Sequence, residues 1–596
     1  MVLNFISIGP ILCMIIVAIG VIRSQRRVSL RVVFWALALL FLMSLSASLL
    51  VDFSEQSDPY ILTVSNLPGE GLSAIPTMEW DLKTIALLPV VFGLLLLAVN
   101  SIRVLEELRL SRSRTSIAIL FLSFGAILTL TAPTGHQTFL GWQTITYGGY
   151  ALLAWASARI AAPTSARLFL VINVIGDFLL LSVLLMAGGE MFPFALTQTV
   201  FVIAVLLKSG QFIFLSWALA TGTSSFGGMI ALGCLVVLLA IPQSVMMIAQ
   251  SDLLLSPIVA VLGPFGLLTA VLAGGIACAA IDPRRLLMAQ AVVLVGLSLA
   301  ASAIIAPVFA TVFAAVSALI MAGCIHLIGE VVTKVGGEKD IRKYGGLRAT
   351  VPLAFQTILG LSFLQCLCVG VAVAFIGAAT MSGASQPTLT LAAAFIFAVA
   401  AGGLFVSSQT RFISAVFFGR TKVPSDTLGR IRPSRFQPVF AVAVVTIAGF
   451  ALFLSANLSA SDWNSIEIDE VIVPFSVFLA VALLSASATL YRRRQTADGE
   501  KNALLAGIKT AFQRELMLVE FLTEKPGVLL NTLPEALGST TAASNGKAFQ
   551  ETWNRDSARE RAERFFNQLQ HPAVYWQMSA VLVTLIVAGG AVALGS

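Results

Sequence analysis

Apolar runs of about twenty residues recur from one end of this 596-residue chain to the other, and each can cross a hydrocarbon core of about 30 Å. Backbone N–H and C=O groups in lipid must be satisfied within the segment, so the runs predict helices. Only 11% of the residues are charged and 58% are hydrophobic, with a mean hydropathy of +0.93. That balance excludes a soluble globular domain of this size. The predicted class is an all-α polytopic membrane protein with about sixteen transmembrane helices. Their centres fall near residues 13, 40, 93, 124, 148, 176, 209, 236, 268, 295, 320, 365, 400, 447, 482 and 585. The first run has no basic stretch before it, and its arginines follow in "RSQRRVSLR". It therefore reads as a span and not as a cleavable leader.

The loops set an orientation. If every span crosses once, "RSQRRVSLR", "RVLEELRLSRSR", "DPRR", "TKVGGEKDIRKYGGLR", "RTKVPSDTLGRIRPSR" and "YRRR" share one face. The acidic or neutral loops "VDFSEQSDPY", "GGEMFP", "SGASQPT" and "SASDWNSIEIDE" share the other. The basic face is cytoplasmic by the positive-inside rule. The expectation is a multi-pass protein of a bacterial-type inner (cytoplasmic) membrane, with both termini on the outer, periplasmic side. The net charge of +7 resides in these loops and calls for no nucleic acid. The cysteines Cys13, Cys234, Cys278, Cys324, Cys366 and Cys368 all lie in apolar runs without metal spacing, as small packing residues do. No Walker A, dinucleotide-binding, HExxH or Gly-x-Ser-x-Gly signature is present.

Residues 492–574 interrupt the pattern with a long polar segment before the last span, 575–596. Leu504, Ile508, Phe512 and Leu516 recur every four positions there, which is one face of an amphipathic helix. The segment is expected to lie along the cytoplasmic surface and to contact other subunits.

One charge stands inside a span. "VLLKSGQFIFLSWAL", 205–219, carries Lys208 in an otherwise apolar run. A charge at mid-bilayer costs about 2.5–3.5 kcal/mol on insertion scales and by default marks function. The adjoining Ser209–Gly210 predicts a break in the helix, where freed carbonyls and water can approach the ammonium.

Several motifs carry a family resemblance. "GGEKDIRKYGGLR" (336–348) closely resembles the loop of the antiporter-like subunits of respiratory complex I, especially the subunit 5 type. The same superfamily includes the large subunits of Mrp cation/proton antiporters and the membrane subunit of DAB inorganic-carbon pumps. "FLGWQTITYGGYALL" (139–153), "NVIGDFLLL" (173–181), "LKSGQFIFLSW" (207–217), "DPRRLLMAQAVVLVG" (282–296) and "RFISAVFFGR" (411–420) resemble further blocks of that family. The resemblance implies two inverted five-helix repeats and a C-terminal lateral helix followed by a terminal anchor. Its implied division is 1–110 (N-terminal helices), 111–250 (first repeat), 251–420 (second repeat), 421–491 (additional helices), 492–574 (lateral segment) and 575–596 (anchor).

The resemblance also implies a row of ionisable groups at mid-membrane depth, and here the chain departs from it. The family's glutamate falls on Gln143, its arginine on Val174, a histidine on Ala231 and two lysines on Ala315 and Ala378. Lys208 and Asp177 are retained, and His326 stands where many members have histidine. Lys208, Asp177 and His326 are therefore the proton-transfer candidates. Asp177 can pair with a cation or cap a helix end, and His326 can exchange protons or serve packing. His136 reads as a solvated loop residue, and Asp282 with Arg284 and Arg285 as an interfacial anchor. Glu330, Lys334 and the loop charges Glu338, Lys339, Asp340, Arg342 and Lys343 read as a docking or loop-fixing cluster, with the loop 333–350 as a docking region.

The functional expectation is a membrane subunit of a complex I-like proton-translocating assembly with a degenerate path of its own. The alternatives are the membrane subunit of a DAB-type inorganic-carbon pump and a non-pumping scaffold. No catalytic site, metal site or cofactor is expected in this chain. Zinc, quinone or iron–sulfur clusters would belong to partner subunits. The expected partners are those subunits, the lipid bilayer and protons.

Overall fold

The helices of the computed structural model begin and end where local chemistry directs. The structure describes residues 30–50, 60–62, 78–80, 82–104, 112–130, 135–155, 162–187, 194–242, 257–305, 307–382, 389–424, 435–458 and 468–495, with positions 132 and 427. All of them fall in one of the chain's two compact units; the other, Thr63–Thr77 with Met517–Ser596, lies outside the described residues.

In chain order the helices are α1 (Leu30–Leu50), α2 (Leu82–Val104), α3 (Arg112–Leu130), α4 (Gly135–Trp155), α5 (Ala162–Ala187), α6 (Phe194–Lys208) and α7 (Leu215–Ala220). Next comes α8, a single α-turn Phe226–Met229 that continues as the π-helix Ile230–Ala240. The remaining helices are α9 (Pro257–Ala279), α10 (Pro283–Ile304), α11 (Pro307–Lys334), α12 (Pro352–Ser382), α13 (Leu389–Phe417), α14 (Phe436–Leu458) and α15 (Ile468–Gln495). Two short strands, β1 (Tyr60–Leu62) and β2 (Met78–Trp80), pair antiparallel with Ile61 opposite Glu79.

Eight of these helices are long and apolar enough to cross a membrane: α2, α5, α9, α10, α11, α12, α13 and α15. Shorter apolar segments lie in α1, α3, α6, α8 and α14. Every predicted centre from 40 to 482 falls on a described helix except 209, which falls on a break; 148 falls on α4, which is in neither of these groups. The spans centred on 13 and 585, both termini and most of 492–574 lie outside the described residues. Positions 492–495 belong to the end of α15.

Proline and carboxylate start helices here, and glycine stops them. Pro283 opens α10, and the Asp282 side chain accepts from the Arg284 N–H at 2.9 Å, a helix N-cap. α11 ends at Lys334, where Gly337 N–H returns to the Val332 carbonyl at 2.9 Å. The following loop docks on the end of α13: Gly346 N–H reaches Phe418 O at 3.3 Å and Lys422 N–H reaches Tyr344 O at 2.9 Å.

α11 is the hub of the bundle. It packs against α2, α8, α10, α12 and α14, and a helix apolar all round is buried on all sides. α15 is mostly exposed, with Val473, Leu483 and Leu484 outward, an apolar surface suited to lipid. α9 and α10 meet through glycines. A Cβ on Gly296 would lie 2.3 Å from the Gly266 carbonyl oxygen, and one on Gly266 would lie 2.6 Å from the Gly296 carbonyl oxygen. Close backbone contact of this kind drives helix association in lipid. Gly296→Val should force the two helices apart and destabilise the bundle by about 2–3 kcal/mol, seen as a lowered melting temperature in detergent. An unchanged melting curve would contradict the contact.

The loop after α11 holds ion pairs at the surface. Arg342 binds Asp340 through two nitrogens, at 2.7 and 2.9 Å, and Lys343 reaches Glu338 at 3.2 Å. The Arg342 side chain holds the Asp340 carboxyl below its ordinary range. The Asp340 N–H and then Lys343 do the same for Glu338. Depressed carboxyl values mean that this stabilisation is complete above the unfolded-state value and is lost as pH falls through the folded one. Amide exchange protection over 338–344 should hold from neutrality to about pH 4 and fall below it. A loss of protection near pH 6 would contradict this assignment.

Candidate functional site

Helix α6 stops at Lys208 because Gly210 takes the left-handed conformation, with φ +64°. Gly210 N–H bonds Leu207 O at 3.3 Å and Gln211 N–H bonds Leu206 O at 2.9 Å, the paired closure of a Schellman motif. The Trp217 indole N–H also donates to Leu207 O, at 2.7 Å, so that terminal carbonyl accepts two hydrogen bonds. Phe212 also has positive φ, at 52°, and its N–H is held by Thr269 Oγ1 at 2.8 Å. A non-glycine residue in that region costs about 1–3 kcal/mol and persists only where its surroundings fix it. The chain then re-enters helix through a 3₁₀ turn, α7, a second 3₁₀ turn and α8. Lys208 is therefore the last helical residue, where the negative end of the helix dipole favours a cation.

The Lys208 ammonium is fully buried and spends its three donors on three partners. These are Asp177 Oδ1 on α5 at 2.5 Å, Thr146 Oγ1 on α4 at 2.6 Å and the Trp142 carbonyl at 3.2 Å. The Trp142 ring lies beneath it, with its centroid 5.3 Å away. Thr146 is 2.7 Å from Asp177 Oδ2, so both carboxylate oxygens are engaged. Two full charges are thus out of water, and their mutual attraction is supplemented by hydrogen bonds, the condition under which a buried pair persists. The cluster is overall neutral. Adding one proton to the carboxylate, or taking one from the ammonium, changes its charge by a full unit and breaks the closed arrangement.

Trp142, Gln143 and Thr146 are within one turn of one another on α4, but only Trp142 and Thr146 touch Lys208. Gln143 is buried, and its Oε1 has no hydrogen-bond partner among the described residues. The carboxylate facing Lys208 comes from α5. Thr146 and the Trp142 carbonyl were missed because they are 62 and 66 positions from Lys208. The only sequence signal was the concentration of polar residues in the "GWQTIT" turn of an otherwise apolar helix.

Of the other candidates, Val174 lies one turn before Asp177, and Ala231, Ala315, Ala378 and His326 come from other helices. Val174 is on α5, Ala231 on the π-helix, Ala315 on α11 and Ala378 on α12, which runs unbroken from Pro352 to Ser382. Ala231, Ala315 and Ala378 are fully buried. A neutral network occupies α10, α12 and α13 instead. Gln290 donates to Ser408 at 2.7 Å, Gln409 to Gln290 at 3.3 Å, and Ser362 to Gln409 at 3.4 Å. His326 is fully buried on α11, between Ser101 of α2 and Gln437 of α14. His136 lies in the first turn of α4.

Three sequence readings need correction, the first being His136, which lies in a helix and not in a loop. Arg284 is buried, not interfacial: it donates to Ser224 O at 2.6 Å and stacks 4.1 Å from the Phe226 ring, tying α10 to the start of α8. Glu330 is buried on α11 and pairs with Lys334 at 2.5 Å, so both belong to the helix and not to the loop cluster. Among the described residues no group of His, Cys, Asp and Glu is arranged to hold a metal.

No family model matches the sequence, and no curated protein matches it. Solved structures do match, at the level of fold. A chain of the Mrp complex from Dietzia sp. DQ12-45-1b aligns with a TM-score of 0.61 at 16% identity, covering 82% of this chain and 98% of that one. A chain of the membrane-bound sulfane sulfur reductase, an archaeal respiratory membrane complex, aligns with a TM-score of 0.59 at 16% identity, covering 98% of this chain and 100% of that one. The chain is a helical, multi-pass membrane protein with the fold of these complex-forming chains.

Proposed function

We propose that this chain is an antiporter-like subunit of a multisubunit ion-coupled membrane complex, with Lys208, Asp177 and Thr146 as its ion-responsive centre. The observation that carries the reading is the fully buried ammonium–carboxylate pair at a break between membrane helices. Buried ionisable groups within membrane helices mark ion pathways or coupling sites. The fold likeness to chains of the Mrp complex and of an archaeal respiratory complex supports the same class.

Within that class, the reading is a complex I-like subunit of the subunit 5 type, in a bacterial-type inner membrane, whose own proton path is incomplete. Alanines at 315 and 378 and a neutral Gln–Ser network stand in the second half. The loop 333–350 and the segment 492–574 are the proposed docking regions. Any zinc, quinone or iron–sulfur centre resides in partners.

Purification of the intact complex from native membranes, followed by mass spectrometry of its subunits, tests this. Quinone-reductase or hydrogenase-type subunits are the expected result. A large soluble zinc protein would replace the reading with an inorganic-carbon pump. A second, full-motif copy of this fold in the same complex would favour a scaffold.

A further inference from the structure

We propose that Arg103, acting through Asn100 and Gln437, holds His326 as its Nε2–H tautomer and leaves Nδ1 as the nitrogen that takes up a proton. The inference rests on the ion-responsive reading only for its use, because the tautomer itself is measurable whether or not the chain moves ions.

The direction is set by donor chemistry. A guanidinium has donors and no acceptor. Arg103 Nη2 lies 3.3 Å from Asn100 Oδ1, so the Asn100 oxygen must face the arginine. Its Nδ2 then faces Gln437 at 2.8 Å, and the Gln437 atom there must be the acceptor, Oε1. The same Oε1 is 3.0 Å from His326 Nε2. An amide oxygen cannot donate, so Nε2 carries the hydrogen. One cation near the end of α2 thereby dictates a tautomer on α11 through a side chain on α14.

The other face of the ring is built for two protonation states. Ser101 Oγ lies 2.7 Å from His326 Nδ1 and 2.8 Å from the Leu97 carbonyl. With neutral His326 the hydroxyl donates to Nδ1. When hydronium delivers a proton to the Nδ1 lone pair and leaves as water, Nδ1–H donates to Ser101 Oγ, and the hydroxyl turns its hydrogen to Leu97 O. Each end state is satisfied with the ring and the hydroxyl oxygen in the same positions. His326 is fully buried, with the Phe440 ring 6.5 Å away, edge to face. The charged groups on α2 are Lys83, at the far end of the helix, and Arg103. α11 itself brings Cys324, Glu330 and Lys334, and α10 brings Arg284 and Arg285. The titratable groups of α8 and α12 are Cys234, Cys366 and Cys368, and α14 has none between Phe436 and Leu458. Of all these, Arg103 is the one joined to the ring through the Asn100–Gln437 chain. Arg103, Asn100, Gln437 and Ser101 are positioning residues.

The test is ¹⁵N magic-angle-spinning NMR of the full chain, labelled at histidine and reconstituted in lipid bilayers. The sequence has three histidines, so His136→Gln with His571→Gln isolates the His326 signals. At alkaline pH the wild-type ring should show a protonated Nε2 and a bare Nδ1. Arg103→Met should give mixed tautomers, and Arg103→Lys, which keeps a donor-only group, should restore one. Asn100→Asp should invert the tautomer, because a carboxylate there accepts from the Gln437 amide and turns its NH₂ toward His326. Ser101→Ala should leave the tautomer unchanged but move protonation about one pH unit lower, since it removes the acceptor for Nδ1–H. A wild-type ring protonated at Nδ1, or a tautomer indifferent to both Arg103→Met and Asn100→Asp, would overturn the proposal.

Discussion

Asp177→Leu or Lys208→Met, each made alone, should destabilise the bundle by about 3–5 kcal/mol, the usual cost of leaving one member of a buried pair uncompensated. The two together should restore most of the loss. Neither partner can turn toward water, since both side chains are fully buried and their neighbours on α4 are fixed by the Thr146 and Trp142 contacts. A lone charge in such a place either stays at high cost or is neutralised, and both routes lose the attraction that closed the site. Leucine and methionine approximate the volumes of the residues they replace, and well-packed apolar substitutes for a buried ion pair are often neutral or stabilising. Thermal melting of the detergent-solubilised protein reads all three variants. The expected order is wild type near the double variant, with both single variants well below. If the double variant were as unstable as the singles, Lys208 and Asp177 would act through separate contacts and not as a pair.

Much of this was legible in the sequence, for identifiable reasons. Apolar length finds membrane helices because the bilayer imposes it, so the centres from 40 to 482 fall on helices, 209 excepted, and eight of those helices are long and apolar enough to cross a membrane. The break after Lys208 was legible because Ser209–Gly210 offers the one residue type that closes a helix in the left-handed region without strain. The π-helical stretch Ile230–Ala240 was not, because "IALGCLVVLLA" is apolar at every position and carries no period. Nor could sequence alone choose between a capping and a pairing role for Asp177, since helix depth and rotation decide what it meets. The Arg103–Asn100–Gln437–His326 chain joins residues from three helices up to 337 positions apart. Each is an ordinary polar residue in its own segment, and only the packing of α2, α11 and α14 brings them into line.

The charge-free pair also separates structure from coupling. If the site works only as a strut, removing both charges leaves function intact once stability is restored. If it is one coupling element among several in the complex, as proposed, the loss should be partial: the Gln290–Ser408–Gln409–Ser362 network is neutral, and Ala315 and Ala378 are buried and cannot ionise. Proton transfer across such a stretch lacks acceptors that can change charge, and each polar step left unsatisfied in the membrane interior costs several kcal/mol.

The most direct test of Lys208–Asp177 as a coupling element is a flux measurement on the assembled complex in sealed vesicles. Wild type and the Asp177→Leu/Lys208→Met double variant are compared, with the driving reaction and proton translocation followed together. The expected result is normal assembly, a sustained driving reaction and fewer protons moved per turnover. An unchanged proton yield would reduce the pair to a strut. Complete loss of translocation with assembly and the driving reaction intact would contradict an incomplete path and show that this chain is the sole conduit.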